Sequence, residues 1–396
     1  MHTSRITAAL AVTALLVAGT TPATADARPA AQSCTPTWKL VDSPLPLGVA
    51  EYLEKPAVFS ATKAFLPGAL AVPDAPAQLE WNGQKLSLSA QQIPLSPLTP
   101  APEVAADFDS ATDGWNLLEL GVAHLQVADR WHGGRWSMTP LPVSPAPETK
   151  QVRLYNVAAV SAQNAWAVGG YFDRNNEFRA IGALIEHWDG TAWQIVDNPA
   201  AEQEQTYLQS ITAFSASDIW AVGRQLDGDG TTVPFAEHFD GTRWRVNDAP
   251  AAAAPSAFYG VSGSGDDVWA VGSQQLPGSP GLAAPLVEHW NGTSWTVEDL
   301  PDVGNAKATA AFASSPTDVW VTAQYGLPHP QSDGFLHWDG KSWTKVPVPG
   351  PQGVGYGHAY NAIAGSGPAD IWATGAIFDL SSYYSAQIAH LSCGGR

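Results

Sequence analysis

The stretch ALIEHWDGTAWQIV, from Ala183 to Val196, returns along the chain as FAEHFDGTRWRV (Phe235 to Val246), LVEHWNGTSWTV (Leu286 to Val297) and GFLHWDGKSWTKV (Gly334 to Val346). Repetition at a near-fixed interval constrains a fold strongly, because each copy is one supersecondary unit that buries its apolar face only against its neighbours. A second motif precedes each copy: SAQNAWAVGG, SASDIWAVG, GSGDDVWAVG and SSPTDVWVTA, with a further GSGPADIWATG near the end. Its tryptophans, Trp166, Trp220, Trp269, Trp320 and Trp372, are 54, 49, 51 and 52 residues apart. A weaker SATDGW puts Trp115 another 51 residues upstream, and FSATKAF puts Phe65 50 residues before that. The repeat count is seven.

Degraded forms of the first motif, DRWHGGRW (Asp129 to Trp136) and LEWNGQKL (Leu79 to Leu86), complete the pattern. All 17 Trp then occupy one of three repeat positions, so tryptophan is a structural requirement of every unit. Within a unit, LYNVAAVS and AWAVGGY read as strands flanking a short turn, a variable loop follows, and ALIEHW and TAWQIV form a hairpin around Asp189-Gly190. An Asp-Gly or Asn-Gly pair between β-rich runs is a two-residue hairpin signal, since both residues tolerate positive φ. Four antiparallel strands per unit, repeated radially, predict an all-β, seven-bladed β-propeller.

The chain ends fit a ring. The last unit stops at AQIAHLSCGGR without its fourth strand, whereas SCTPTWKLVDSPLP is a fourth strand with no unit before it. The N-terminal strand is therefore expected to complete blade seven, with Cys34 and Cys393 paired as a disulfide beside that junction. Met1 to Ala25 reads as a secretory leader: Arg5, then the apolar run ITAALAVTALLVAG, then the small-x-small site Ala23-Thr24-Ala25. That run is too short for a membrane-spanning helix of about 20 residues. The expected organisation is a leader at 1–25, an extension at 26–33 and the propeller at 34–396. Export to the extracellular medium as a monomer, without membrane insertion, follows. The leader removes one basic residue and no acidic one, leaving 18 Lys and Arg against 37 Asp and Glu. Such a charge repels nucleic acid and anionic lipid.

An apolar strand ending in Gly-Gly and an aromatic (AWAVGGY), a variable loop, and then a strand with Asp and Trp (EHWDGTAW) resemble the kelch repeat of the galactose oxidase central domain. The resemblance covers Cys34 to Cys393 and implies the propeller fold. It departs at the second Gly, which is Arg224, Ser273 or Ala376 in other units, and at Thr322-Ala323, which replaces the pair. The chain also looks like secreted bacterial propellers built on SAxDxWAVG and HWDGTxW repeats, a group that implies no one activity. Galactose oxidase chemistry is not expected, because its copper site needs a Cys-linked Tyr and both cysteines here serve closure. The Asp-box of sialidases, a nucleophile elbow, a zinc-binding HExxH helix and a P-loop find no match. No cofactor is expected.

A catalytic group is needed once per site, so residues present in nearly every unit read as scaffold. The Asp of SAxDxW is expected to accept backbone N–H bonds within its own turn, and the His of EHW to bond a neighbouring strand or blade. Function belongs to what does not repeat: the variable loops and connections on one face of the ring. Arg153, Tyr155, Tyr207, Tyr259, His358 and Tyr360 start the innermost strands there and could converge on the channel. Tyrosines stacking on sugars and an Arg or His on carboxylates suit a glycan, so the expected activity is binding of carbohydrate or another extracellular ligand. Two alternatives remain open. One is a polysaccharide lyase or glycosidase, with His358 or Tyr360 as base and Arg153 neutralising a carboxylate. The other is a lectin with blade-repeated pockets at Trp188, Trp290 and Trp338. Asp227 and Asp229, in DGDGT, supply alternating oxygens, but without the later Glu of a calcium loop they read as a solvated turn.

Overall fold

Apolar and small residues alternate along each unit, and in the computed structural model every described element is a strand. The described residues are 35–44, 50–71, 74–89, 103–120, 125–142, 149–249, 255–276, 278–325, 334–350, 356–379 and 384–393. The expected leader, the 26–33 extension and Cys34 lie outside them. Among the described residues no helix is long and apolar enough to cross a membrane.

After β1 (Thr37–Leu40), the first sheet contains β2 (Ala50–Leu53), β3 (Ala57–Ser60), β4 (Lys63–Ala71), β5 (Asp74–Trp81) and β6 (Leu86–Leu88), with both β2 and β3 paired to β4. Four-stranded antiparallel sheets follow. They are β7 (Glu103–Ser110) to β10 (Arg135–Thr139) through β8 (Asp113–Leu120) and β9 (Leu125–His132), then β11 (Lys150–Ser161), β12 (Asn164–Asp173), β13 (Asn176–Trp188) and β14 (Trp193–Ile195). Next come β15 (Tyr207–Ser215), β16 (Asp218–Leu226), β17 (Thr232–Phe239) and β18 (Trp244–Val246), then β19 (Ser256–Ser264), β20 (Asp267–Gln275), β21 (Ala283–Trp290) and β22 (Trp295–Val297). The remaining strands are β23 (Ala306–Ser315), β24 (Asp318–Tyr325), β25 (Gly334–Trp338), β26 (Trp343–Pro347), β27 (Tyr356–Gly367), β28 (Asp370–Asp379) and β29 (Tyr384–Ser392). These pair in sequence within two groups, which a single pair, Gln324 of β24 with Ala359 of β27, joins.

The N-terminal strand lands where the sequence places it. β1 runs antiparallel to β29, with Thr37 opposite Ser392 and Trp38 opposite Leu391, and Trp38 packs edge-on to Trp320 at 5.4 Å. First strands of successive sheets touch in order: β3 with β7, then β11, β15, β19, β23 and β27, which returns to β3.

The core lies between sheets. The second-strand aromatic of each unit is gripped by aromatics of the next: Trp115 by Trp188 and Trp193 (4.9 Å each), Trp166 by Phe239 and Trp244, Trp220 by Trp290 and Trp295, and Trp269 by Trp338 and Trp343. Trp372 meets Trp81, and Phe65 meets Trp131. At about 25 cal/mol per Å², burying an indole contributes roughly 4 to 6 kcal/mol before entropy is counted.

Two local expectations change. The Asp-Gly pairs do not form two-residue turns: Trp188 pairs with Trp193, leaving a four-residue loop. Asp189 Oδ1 accepts the N–H groups of Thr191 and Ala192, so the carboxylate organises the turn and only Gly190 takes positive φ. Asp240, Asn291, Asp339 and Asn82 repeat this geometry. Much of the Tyr171–Ala183 segment is also strand rather than loop, because β12 and β13 stay paired out to Asp173 and Asn176.

Candidate functional site

On the turn side of the sheets, one side-chain triad recurs. His238 Nε2 meets Asp218 Oδ1 at 2.8 Å and its ring stacks on Trp220 at 4.4 Å; His337 with Asp318 and Trp320, and His390 with Asp370 and Trp372, do the same. Asn164 replaces the Asp opposite His187, and Arg130 replaces the His opposite Asp113. The backbone register sets this geometry, since Trp220 lies directly across from His238. Burial alone would raise Asp318 and Asp370. The hydrogen bonds from histidine and serine outweigh it and leave both below the ordinary value.

The expected role of that Asp is thereby corrected. Its partner is the histidine on the adjacent strand, and the motif's serine accepts the turn N–H, as Ser215 Oγ does from Ser217 at 3.2 Å. The tryptophan-pocket reading also loses ground. Trp188 is 5% exposed, its indole N–H donates to Ala162 O at 3.2 Å, and Trp290 and Trp338 are half-buried against Trp220 and Trp269. Each of these rings commits surface to packing between sheets.

The other end of the first strands is irregular. A β-bulge falls between Leu154 and Asn156, and at the equivalent step in β15, β19, β23 and β27. A bulge re-aims the extra side chain, and the residues so placed are Tyr155, Gln209, Tyr259, Thr309 and Asn361. The first Gly of the Gly-Gly position faces the bulge at very close range. A Cβ at Gly169 would meet Arg153 O at 1.8 Å, and at Gly272 it would meet Ala257 O at 1.9 Å. A Cβ at Gly170 would meet Tyr207 Cβ at 2.8 Å, so this second Gly makes room for the neighbouring sheet's tyrosine.

Four of the expected residues come together there. Tyr155 and Tyr207 lie 5.5 Å apart, each near Phe172 (6.2 and 5.6 Å). Arg153 sits over Phe172 at 5.2 Å and Arg224 over Tyr207 at 4.8 Å. Tyr259 hydroxyl meets Ser273 Oγ at 2.9 Å. Burial pushes the Tyr155 phenol up to about 12, with Tyr207 adding and Arg153 and Arg224 opposing. Tyr207 is likewise raised, first by burial. Both phenols are protonated at neutral pH and can donate hydrogen bonds.

Tyr360 does not join them. It occupies the register position of Leu154, Leu208 and Phe258, one residue before the bulge, and is 1% exposed. Its ring packs on Phe335 at 4.9 Å, and burial raises its phenol far above the ordinary value. A group so buried is core, and neither a base nor a ligand contact. The His358 side chain lies outside the described residues; its backbone pairs with Ile377. Asp227 Oδ1 is engaged by Asp229 and Thr231 N–H groups of its own exposed turn.

The sequence reading missed Arg224, Ser273 and Phe172. Arg224 and Ser273 stand where the Gly-Gly pattern fails, directly across from Tyr207 and Ala257. That failure was the available signal, because a side chain at this second position points toward the neighbouring sheet, whereas one at the first glycine would strike the first strand.

No protein family model and no curated protein matches the chain. Solved structures match in fold. A structure of YCF48 bound to D1 peptide aligns with TM-score 0.55 at 12% identity over 92% of this chain and 98% of that one. The β-propeller domain of the Trilobed protease from Pyrococcus furiosus, described as having an open velcro topology, aligns with TM-score 0.52 at 9% identity, covering 85% and 94%. The GH74 xyloglucanase from Xanthomonas campestris aligns with TM-score 0.51 at 14% identity, covering 86% of this chain and 53% of the enzyme. At these identities the likeness shows the fold, a β-propeller, and no more.

Proposed function

We propose that the chain is an exported, non-catalytic binding propeller that takes an extracellular ligand, carbohydrate or another partner, at the channel mouth. The convergence of Arg153, Tyr155, Phe172, Tyr207, Arg224 and Tyr259 from three consecutive sheets carries this reading. Aromatic rings hold the two guanidinium groups in place, and half-buried phenols stand beside them as donors. Groups fixed before contact lose little freedom on binding, which is how a concave polar site gains affinity. Among the solved neighbours, one is a peptide complex and one a glycosidase, and both fit a ligand site on this fold. The lyase or glycosidase reading is weaker, because Tyr360 is core and burial raises the Tyr155 and Tyr207 phenols.

The scaffold under this site is a kelch-like ring of seven blades. The closed succession of first strands and the pairing of β1 with β29 favour that count. Cys34 and Cys393 close it as a disulfide: Cys393 directly follows β29, Cys34 lies three residues before β1, and no described cysteine is free. Alkylation of both thiols only after reduction is the expected result.

Glycan and protein-ligand arrays, followed by footprinting of the bound complex, test the function. The expected outcome is a bound ligand that protects Tyr155, Tyr207 and Tyr259 from modification. Protection of Trp290 and Trp338 alone, or turnover of the ligand, would contradict it.

A further inference from the structure

A cavity of about 270 Å³ opens beside the aromatic cluster, lined by Arg224, Ser256, Tyr259, Ser273, Gln274 and Lys307 among others. Small-molecule sites usually start near 300 Å³, so this volume suits one residue of a larger ligand rather than a whole one. Among the described residues neither Arg224 nor Lys307 has a carboxylate partner, although the chain carries a net charge of −18. Two uncompensated cations lining one cavity, in so acidic a protein, form a local anion site.

A second observation is independent of charge. Ser256 is 3% exposed, and its hydroxyl has no hydrogen-bond partner. A buried hydroxyl left unpaired costs stability, and a small side-chain shift at this cavity wall would let a ligand hydroxyl or carbonyl satisfy it. One face each of Tyr207 and Phe172 is covered by Arg224 and Arg153, so Tyr259 is the aromatic ring on the cavity wall, and the two cations set a uronate apart from a neutral sugar there. Apolar lining is limited to small or exposed groups such as Ala257 and Leu282, a poor anchor for a peptide side chain. The smaller cavity, about 180 Å³ beside Gln225 and Asp227, lacks any cation.

We infer that the cavity between Arg224 and Lys307 holds a hexuronate residue of an acidic polysaccharide, its carboxylate between the two cations and a ring hydroxyl on Ser256. The inference rests on the proposed binding function and names its ligand class. Guanidinium and ammonium donors give charge-assisted hydrogen bonds to the carboxylate, and Ser273 and Gln274 supply further polar contacts.

Calorimetry on the full mature chain tests it, with oligogalacturonate, oligoalginate, carboxyl-reduced oligogalacturonate and an oligoglutamate peptide as probes. At least one uronate oligomer is expected to bind, and where oligogalacturonate binds, its carboxyl-reduced form is expected to bind about ten-fold more weakly or worse, the scale of one lost charge-assisted contact. Arg224→Gln and Lys307→Gln should each weaken uronate binding by a similar factor with the melting temperature unchanged, and Ser256→Ala by less. Equal binding of the carboxyl-reduced oligomer, preference for oligoglutamate, or no uronate binding while the arrays find another ligand at the channel mouth would each overturn the inference and leave the binding function standing. A channel mouth that binds nothing on the arrays overturns both.

Discussion

The turn side and the channel mouth of this propeller both pack aromatic rings, to opposite ends. On the turn side, Trp220 is locked between His238 of its own sheet and Trp290 and Trp295 of the next, and the arrangement recurs from sheet to sheet. At the mouth, Tyr207 is held by Phe172, Tyr155 and Arg224, and among the described residues no other sheet repeats the set. Recurrence marks what every unit needs in order to pack. A set that appears once is not needed by every unit, and this is what singles it out for the proposed binding role.

The largest break in that comparison is Trp220→Ala. Trp220 is 1% exposed, so truncation leaves a cavity and should cost about 3 to 5 kcal/mol. Denaturant melts should show the loss, with ligand affinity per folded molecule unchanged. A loss below about 1 kcal/mol would mean that the aromatic belt is not what joins the sheets.

A second prediction concerns pH. Glu186, Glu237 and Glu288, each one residue before the recurrent histidine, are fully buried, and desolvation pushes their carboxyls up to about 8; Asp129, at the same position, rises to about 6. Both oxygens of Glu186 and Glu288 lack partners, whereas Glu237 accepts the Ala200 N–H at 3.1 Å. Tyr171, also buried, is the titratable group that feels Glu186. The folded state holds these protons more tightly than the unfolded chain does. Its stability is therefore fully present below the ordinary carboxyl value near 4.5 and declines as pH rises toward about 8. Denaturant midpoints measured from pH 5 to pH 8.5 should fall, and the triple change Glu186→Gln, Glu237→Gln and Glu288→Gln should flatten the curve. A midpoint that rises over that range contradicts the assignment.

The fold was largely legible because tryptophan spacing exposes packing that every unit shares; Trp38, read as an orphan fourth strand, pairs with β29 as expected. The site was legible only in part, because strand register decides which side chain faces the channel. Tyr155 and Tyr360 look alike in sequence, yet one sits in a bulge and the other one residue before it. Arg224 was hidden in a failed glycine position. Glu186 was hidden beside the histidine, since charge in a strand ordinarily signals solvent and only the neighbouring sheets reveal that this one is buried.

The central claim, that the repeats build the ring and the unrepeated channel mouth does the work, is tested most directly by the double change Arg153→Ala and Arg224→Ala. Its melting temperature and its binding on the arrays should be read together. The account predicts a melt close to that of the unaltered protein, with array binding lost. A melt lowered as far as that of Trp220→Ala, or array binding retained in full, would contradict it.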